Sequence, residues 1–420
     1  MISGDFHMPQ DPSYSGSLAI FFFWTWSLLM ITTLPGCGAP TADDTSTLKK
    51  SSEIQPAKDG IFHVYPGKSL QQAADAAALN KGSKTVRVHA GNYFPRKSGQ
   101  VFLSLTAKHD GVTLEAEGDV TLHGSHSGED AQAGTIDDIK VNHVVYFGDG
   151  ISSKTVFRGF RITGGQPGNI PNTPGLSIEP RSTQPALGPG LFFYLDGSAI
   201  KIFGRSSPHI VNAVIEDNES ALCGGGVSVE QRGLHDQPVR FTTCIFRDNR
   251  CPATGSAIDL LEGSKAVIEN CLFVNNIGNY GMDKIQRKYG LSYNSQHGTG
   301  ALTVFPNSKV EVLRCTFTGN WNGVDDHGRG SIYRQSIFWM NDAVDSSNAR
   351  PDGPFEFDIL DASGVSNCWI GGGLSDLRGT IDASRNRLDA PPPQFDDNIH
   401  PQHKGLVNLG FRREAETVPP

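Results

Sequence analysis

The nine residues Ile268-Glu269-Asn270-Cys271-Leu272-Phe273-Val274-Asn275-Asn276 hold the pattern on which the rest of the chain turns. An apolar residue is followed three positions on by a small one, two further on by a large apolar one, and three further on by Asn. The pattern returns earlier as Phe157/Phe160/Ile162/Gly165, Ile210/Ala213/Ile215/Asn218 and Phe241/Cys244/Phe246/Asn249. Later it returns as Val312/Cys315/Phe317/Asn320, Tyr333/Ser336/Phe338/Asn341 and Val365/Cys368/Ile370/Gly373. Most copies end 21–32 residues apart, and internal similarity at such a period is the mark of a solenoid. A second element follows most copies: Gly, a small residue, then an apolar alternation, as in Gly225-Gly226-Val227-Ser228-Val229 and Gly255-Ser256-Ala257-Ile258-Asp259-Leu260.

Period-2 alternation broken by Gly and Asn predicts two or three short strands per unit. No unit contains a helix-length periodic stretch, which excludes leucine-rich, ankyrin and tetratricopeptide solenoids. One such unit cannot bury its strands alone. Stacked on its neighbours, it lines its Phe, Ile, Ala and Cys residues into a continuous core. Cys244, Cys271 and Cys315 are then expected as an inward stack of small apolar thiols. The repeated Asn suits a tight corner with a side-chain bond to the next turn.

Composition agrees. The 420 residues include 48 Gly and 25 Pro, too many helix breakers for a long helical protein. The 23 Phe are too much apolar matter for a wholly disordered chain. Net charge is −8 and no basic cluster occurs, which argues against nucleic acid as a partner.

With these residues in view, the chain resembles bacterial right-handed parallel β-helix proteins of the pectin-lyase-like superfamily. The Phe-x-x-Asn and Gly-Ser-Ala-Ile runs also resemble repeats of the polymorphic outer-membrane protein family. The expected fold is all-β: a right-handed parallel β-helix over residues 60–375, with inserts near 166–195 and 278–297. Ser69–Asn80 is the one good helix, with Ser69 as N-cap and Gln72 placed for a capping box. Its position before the strand Thr85–Tyr93 resembles the superfamily's N-terminal cap. Residues 376–420 are expected to form a C-terminal tail or a cap on the other end.

The segment Leu18–Leu34 is apolar over 17 residues, the length of a signal-peptide core, and runs into Leu34-Pro35-Gly36-Cys37. This resembles the bacterial lipobox, although Pro35 is unusual in it and no Lys or Arg precedes the apolar run. Residues 1–36 are read as a signal peptide, Cys37 as the lipidated first residue, and 37–59 as a polar tether. The expectation is an exported lipoprotein at the outer membrane or cell surface, or a periplasmic or secreted one, and a monomer.

Candidate chemistry concentrates in Asn320-Trp321-Asn322-Gly323-Val324-Asp325-Asp326-His327-Gly328-Arg329-Gly330. Paired carboxylates with a His and an Arg can serve general acid/base work on a glycosidic bond. Asp325, Asp326, His327 and Arg329 are the candidate catalytic set. Trp321, Tyr280, Asp283, Arg287 and Tyr289 are the candidate substrate-binding set. The chemistry resembles the polygalacturonase branch of the superfamily, but its Asn-Thr-Asp, separate Gly-His-Gly and Arg-Ile-Lys motifs are missing. A calcium-assisted lyase using Asp325, Asp342 and Asp345, with Arg287 or Arg329 as base, is the other enzymatic option. Neighbours on an extended chain face opposite ways, so Asp325 and Asp326 converge only if a turn intervenes. No Cys-x-x-Cys or Cys/His pair has zinc spacing, so no metal-ligating residues are read from the sequence; the cofactor is left unknown, with calcium possible. The functional expectation is a surface protein that binds, and with the right site cleaves, extracellular polysaccharide. The alternative is a non-catalytic structural or adhesive β-helix.

Overall fold

A computed structural model describes residues 54–126, 139–166, 190–281, 285, 287–288, 300–343 and 354–413. The signal and lipobox segment, Cys37, most of both inserts, and Asp283, Tyr289 and Asp345 lie outside the described residues.

From Ile54 onward the chain coils as a right-handed parallel β-helix with two long ladders of parallel strands. The wider sheet carries two short strands per rung, for example Lys265–Glu269 and Leu272–Val274. The repeat makes the corner between them. Residue three of each copy adopts positive φ: Gly159, Asn212, Thr243, Asn270, Arg314, Gln335 and Asn367. The small fourth residue then turns inward. Ala213, Cys244, Cys271, Cys315 and Ser336 are fully buried. The Cys244 and Cys271 amides donate to the sulfur one rung further on, at 3.3 and 3.4 Å, and the Cys315 amide to the Ser336 hydroxyl at 3.0 Å. All six described cysteines are buried, and none of them forms a disulfide.

Two further columns follow from the same repeat. Phe246, Phe273, Phe317 and Phe338 stack face to face at 4.7, 4.1 and 4.9 Å between centroids. Asn218, Asn249, Asn276, Asn320 and Asn341 form a buried ladder in which each Nδ2 donates to the next Oδ1 at 2.7–3.0 Å. Each Asn thus satisfies corner amides and carbonyls that no strand partner reaches. The ladder ends on Glu356, which accepts from both the Asn341 amide and its Nδ2.

Among the described residues the narrower sheet is a nine-strand ladder running from Gly99–Leu105 through Ile139–Phe147, Ile200–Phe203, Val227–Glu230, Ile258–Leu260, Leu302–Val304, Val324–Asp326 and Phe357–Ile359 to Leu377–Arg378. Parallel register places Lys201, Ser228, Asp259, Thr303, Asp325, Asp358 and Arg378 in one outward column. From Lys201 to Asp358 that column is buried.

Both ends are closed by the chain itself. Helix α1 (Leu70–Leu79) is N-capped by Ser69, whose hydroxyl accepts from the Gln72 amide at 3.2 Å. Its buried Leu70, Ala73, Ala74 and Ala77 join the core against the first strands. At the other end Arg387 bridges Trp369 on the last rung. The tail then runs back over the outer face of the wider sheet. Leu406 packs with Ile337 and Trp369, and Phe411 with Leu272 and Val274. Asn270 and Arg412 exchange two hydrogen bonds of 2.8 Å.

Candidate functional site

The stretch 320–330 is not one turn. Val324–Asp326 is a strand of the narrower sheet, and the alternation of its side chains separates the two carboxylates. Asp325 faces outward in the buried column. Asp326 lies in the inward column of Ile202, Val229, Leu260, Val304 and Ile359. There Asp326 accepts from the Tyr333 hydroxyl at 2.7 Å and the Gly328 amide at 2.8 Å. Burial raises the Asp326 carboxyl above its ordinary range against those hydrogen bonds. The structure therefore places Asp325 and Asp326 on opposite faces of one strand.

His327 is held beside Asp325, Nε2 to Oδ1 at 2.8 Å. That pairing raises the imidazole above its ordinary value, with burial opposing. Arg329 is exposed, near Asp361. Trp321 occupies the corner after Asn320, its amide donating to Asn276 at 2.9 Å, and is only 1% exposed, so its ring offers no stacking surface. Tyr280 lies beneath Arg250 and donates its hydroxyl to Glu219. Arg287 is exposed in insert two. The structure brings Asp325 and His327 together; it does not bring Asp326 to the same face.

One rung beyond, the same corner opens into a cavity of about 290 Å³ lined by Trp339, Asn341, Asp342, Phe355, Glu356, Gly371, Gly372 and Asp376. The Gly-Gly-Gly run at 371–373 shapes it. A Cβ on Gly371 would lie 2.5 Å from the Trp339 ring, and one on Gly372 would overlap the Asp376 carboxylate. The Trp339 ring therefore packs against bare backbone at Gly371, while the Asp376 carboxylate folds back over Gly372. Burial, reinforced by Asp376 and Asp342, pushes Glu356 up to about 7 although the Asn341 donors pull the other way. The sequence carries little signal for this set, because Trp339 follows a core Phe and glycines are ordinary turn residues. The signal available was an aromatic residue beside a ladder Asn, followed one rung later by Gly-Gly-Gly.

The outward column holds a second polar assembly, under α2 (Leu191–Leu195). Lys201 is fully buried, pairs with Glu230 at 2.8 Å, and donates to Ser228 and to the Phe192 carbonyl. Burial would raise Glu230, but Lys201 and Arg232 outweigh it and hold the carboxyl low. Beside this pair, donor atoms of Asp196, Cys223 and Asp259 lie within 4.8 Å of one another. Among the described residues this is a group able to hold a cation, assembled from three rungs and not from a spacing motif.

The fold and these columns define the chain as a right-handed parallel β-helix protein. A family model described as a right-handed beta helix region matches residues 196–338, the rungs with the most regular repeat. No curated protein matches the chain, and no solved structure does.

Proposed function

We propose that this is an exported, lipid-anchored surface β-helix protein that binds extracellular polysaccharide in the cavity at the 339–342, 354–356 and 371–376 corner. One observation carries the binding reading: an aromatic wall, Trp339, and three carboxyl groups, Asp342, Glu356 and Asp376, line one cavity. Sugar hydroxyls are donors and carboxylates are acceptors, while the C–H face of a pyranose packs on an aromatic ring. The lining is acidic and the chain carries −8, so the reading favours neutral or amino sugars over polyuronates. The separation of Asp325 from Asp326 favours binding over hydrolysis by that pair. The export half rests on Leu18–Leu34 and Cys37 in the sequence.

A panel of neutral, amino and uronic-acid glycans tests the reading by titration calorimetry and tryptophan fluorescence, with reducing-end release measured alongside. Trp339→Ala should abolish binding. Gly371→Ala, which drives a methyl into the same ring, should weaken it by about tenfold, or about 1.4 kcal/mol. Wild-type affinity in both variants, or no glycan bound by the native chain, would remove the reading. Loss of palmitate labelling in Cys37→Ser is the expected outcome for the anchor.

A further inference from the structure

We infer that Asp196, Cys223 and Asp259 form a buried site for a borderline divalent cation, zinc by its donor set, which fastens the exit of the first insert to the coil. The three residues are fully buried. No two donor atoms are further apart than 4.8 Å, about twice a zinc–ligand bond of ~2.0–2.3 Å.

The architecture that converges them is repetitive. Gly197, Gly224 and Gly255 all adopt positive φ, and each would drive a Cβ into the narrower sheet: onto Ile200, Val227 and Asp259 respectively. The Gly197 amide reaches the carbonyls of Cys223 and Gly224, and the Gly224 amide reaches that of Thr254. The residues preceding these glycines, Asp196, Cys223 and Thr254, are thus stacked in three successive rungs. Asp259 faces them from its strand.

The hydrogen bonds leave one oxygen of each carboxyl group unsatisfied. Asp196 Oδ1 accepts from the Cys223 amide at 2.9 Å, and Asp259 Oδ1 accepts from the Thr254 hydroxyl at 3.2 Å. The Oδ2 atoms of both aspartates are buried without a hydrogen-bond partner. An orphaned carboxylate oxygen in the interior is costly. Lys201, a buried cation of the same column, is committed: it pairs with Glu230 at 2.8 Å and donates to Ser228 and to the Phe192 carbonyl. A divalent ion satisfies both Oδ2 atoms at once. The sulfur selects zinc over the hard, oxygen-seeking magnesium and calcium. Thr254, which orients Asp259 and meets the Cys223 thiol, would act from outside the ligand set.

The test uses the full chain, refolded under reductant with zinc or with cobalt, because a buried site loads during folding. About one zinc per chain should survive gel filtration. The cobalt form should show a near-ultraviolet thiolate-to-cobalt band. Cys223→Ala should lose that band, while Cys368→Ala, in the core cysteine column, should keep it. Asp259→Asn should lose the ion. Thr254→Val, a milder change that leaves all three ligands, should weaken affinity by about 10–100-fold. If Cys223→Ala fails to fold, the wild-type cobalt spectrum and Thr254→Val still decide the matter. A folded wild type that takes up neither metal, a cobalt spectrum without the thiolate band, or a band that survives in folded Cys223→Ala would overturn the site.

Discussion

Replacing Asn276 by Ala cuts the corner ladder at its centre. The Asn276 side chain accepts from the Asn249 amide at 3.2 Å and from Asn249 Nδ2 at 3.0 Å. It donates to the Phe246 carbonyl at 2.9 Å and to Asn320 Oδ1 at 2.8 Å. Asn249 Nδ2 keeps its bond to the Ile215 carbonyl, and Asn320 Oδ1 keeps the Asn276 amide. The change therefore strands two donors on Asn249 and removes the side-chain donor to Phe246, all in residues with no exposure. At about 1–3 kcal/mol per orphaned buried donor, the expected loss is about 3–5 kcal/mol, a large share of the ~5–15 kcal/mol that stabilises a domain. Guanidinium unfolding followed by far-ultraviolet dichroism and tryptophan fluorescence measures it. Because rungs contact only their neighbours, the two probes should also separate as cooperativity breaks at the cut. Two comparisons sharpen the result. Asn276→Leu keeps the volume without the hydrogen bonds and should cost as much as Ala. Asn307→Gly removes an exposed bond to Glu262 at a positive-φ turn and should cost less than about 0.5 kcal/mol. A loss below about 1 kcal/mol for Asn276→Ala, or rescue by Leu, would refute the hydrogen-bond account of the corner.

Two pH effects follow from the same structure. Glu356 holds its proton more tightly folded, at about 7, than unfolded, near 4.5, so its contribution favours the fold at low pH. Stability should fall by up to about 3 kcal/mol as pH rises from about 4.5 to 7, and Glu356→Gln should flatten that slope in unfolding curves; an unchanged slope would contradict the assignment. His327 is also raised, by Asp325, but as a base. Its stabilisation should be complete below pH 6.5 and fade as pH rises through its folded value, and Asp325→Asn should abolish that dependence when the imidazole is titrated by NMR.

The repeat made most of the fold legible. A four-point pattern specifies a strand, a left-handed corner, an inward small residue and a second strand, and each is a local event. Ser69 and Gln72 likewise mark the start of α1, although only the Ser69 side chain closes on its partner. The site was less legible for a reason visible in Asp325 and Asp326. Their polarity suggested a turn, but the register of Thr303 and Asp358 on either side draws Asp325 into the narrower sheet, and the pleat then sends Asp326 into the core. Trp321 read as an exposed ring; the corner after Asn320 buries it. The tail shows little pattern because its described part past the strand Leu377–Arg378, residues 379–413, packs through scattered contacts, Leu406 and Phe411 among them, and not through a ladder.

By itself, then, the sequence determined the coil: all-β and parallel, with its Asn, Phe and Cys columns. That information repeats every rung and acts between residues close in the chain. Tertiary structure decided what meets across rungs. Asp196, Cys223 and Asp259 converge, and Trp339 comes to line one cavity with Asp376, because the length of each turn sets which side chains share a column. No single rung encodes that alignment; it emerges when rungs of unequal length are forced into one hydrogen-bonded register.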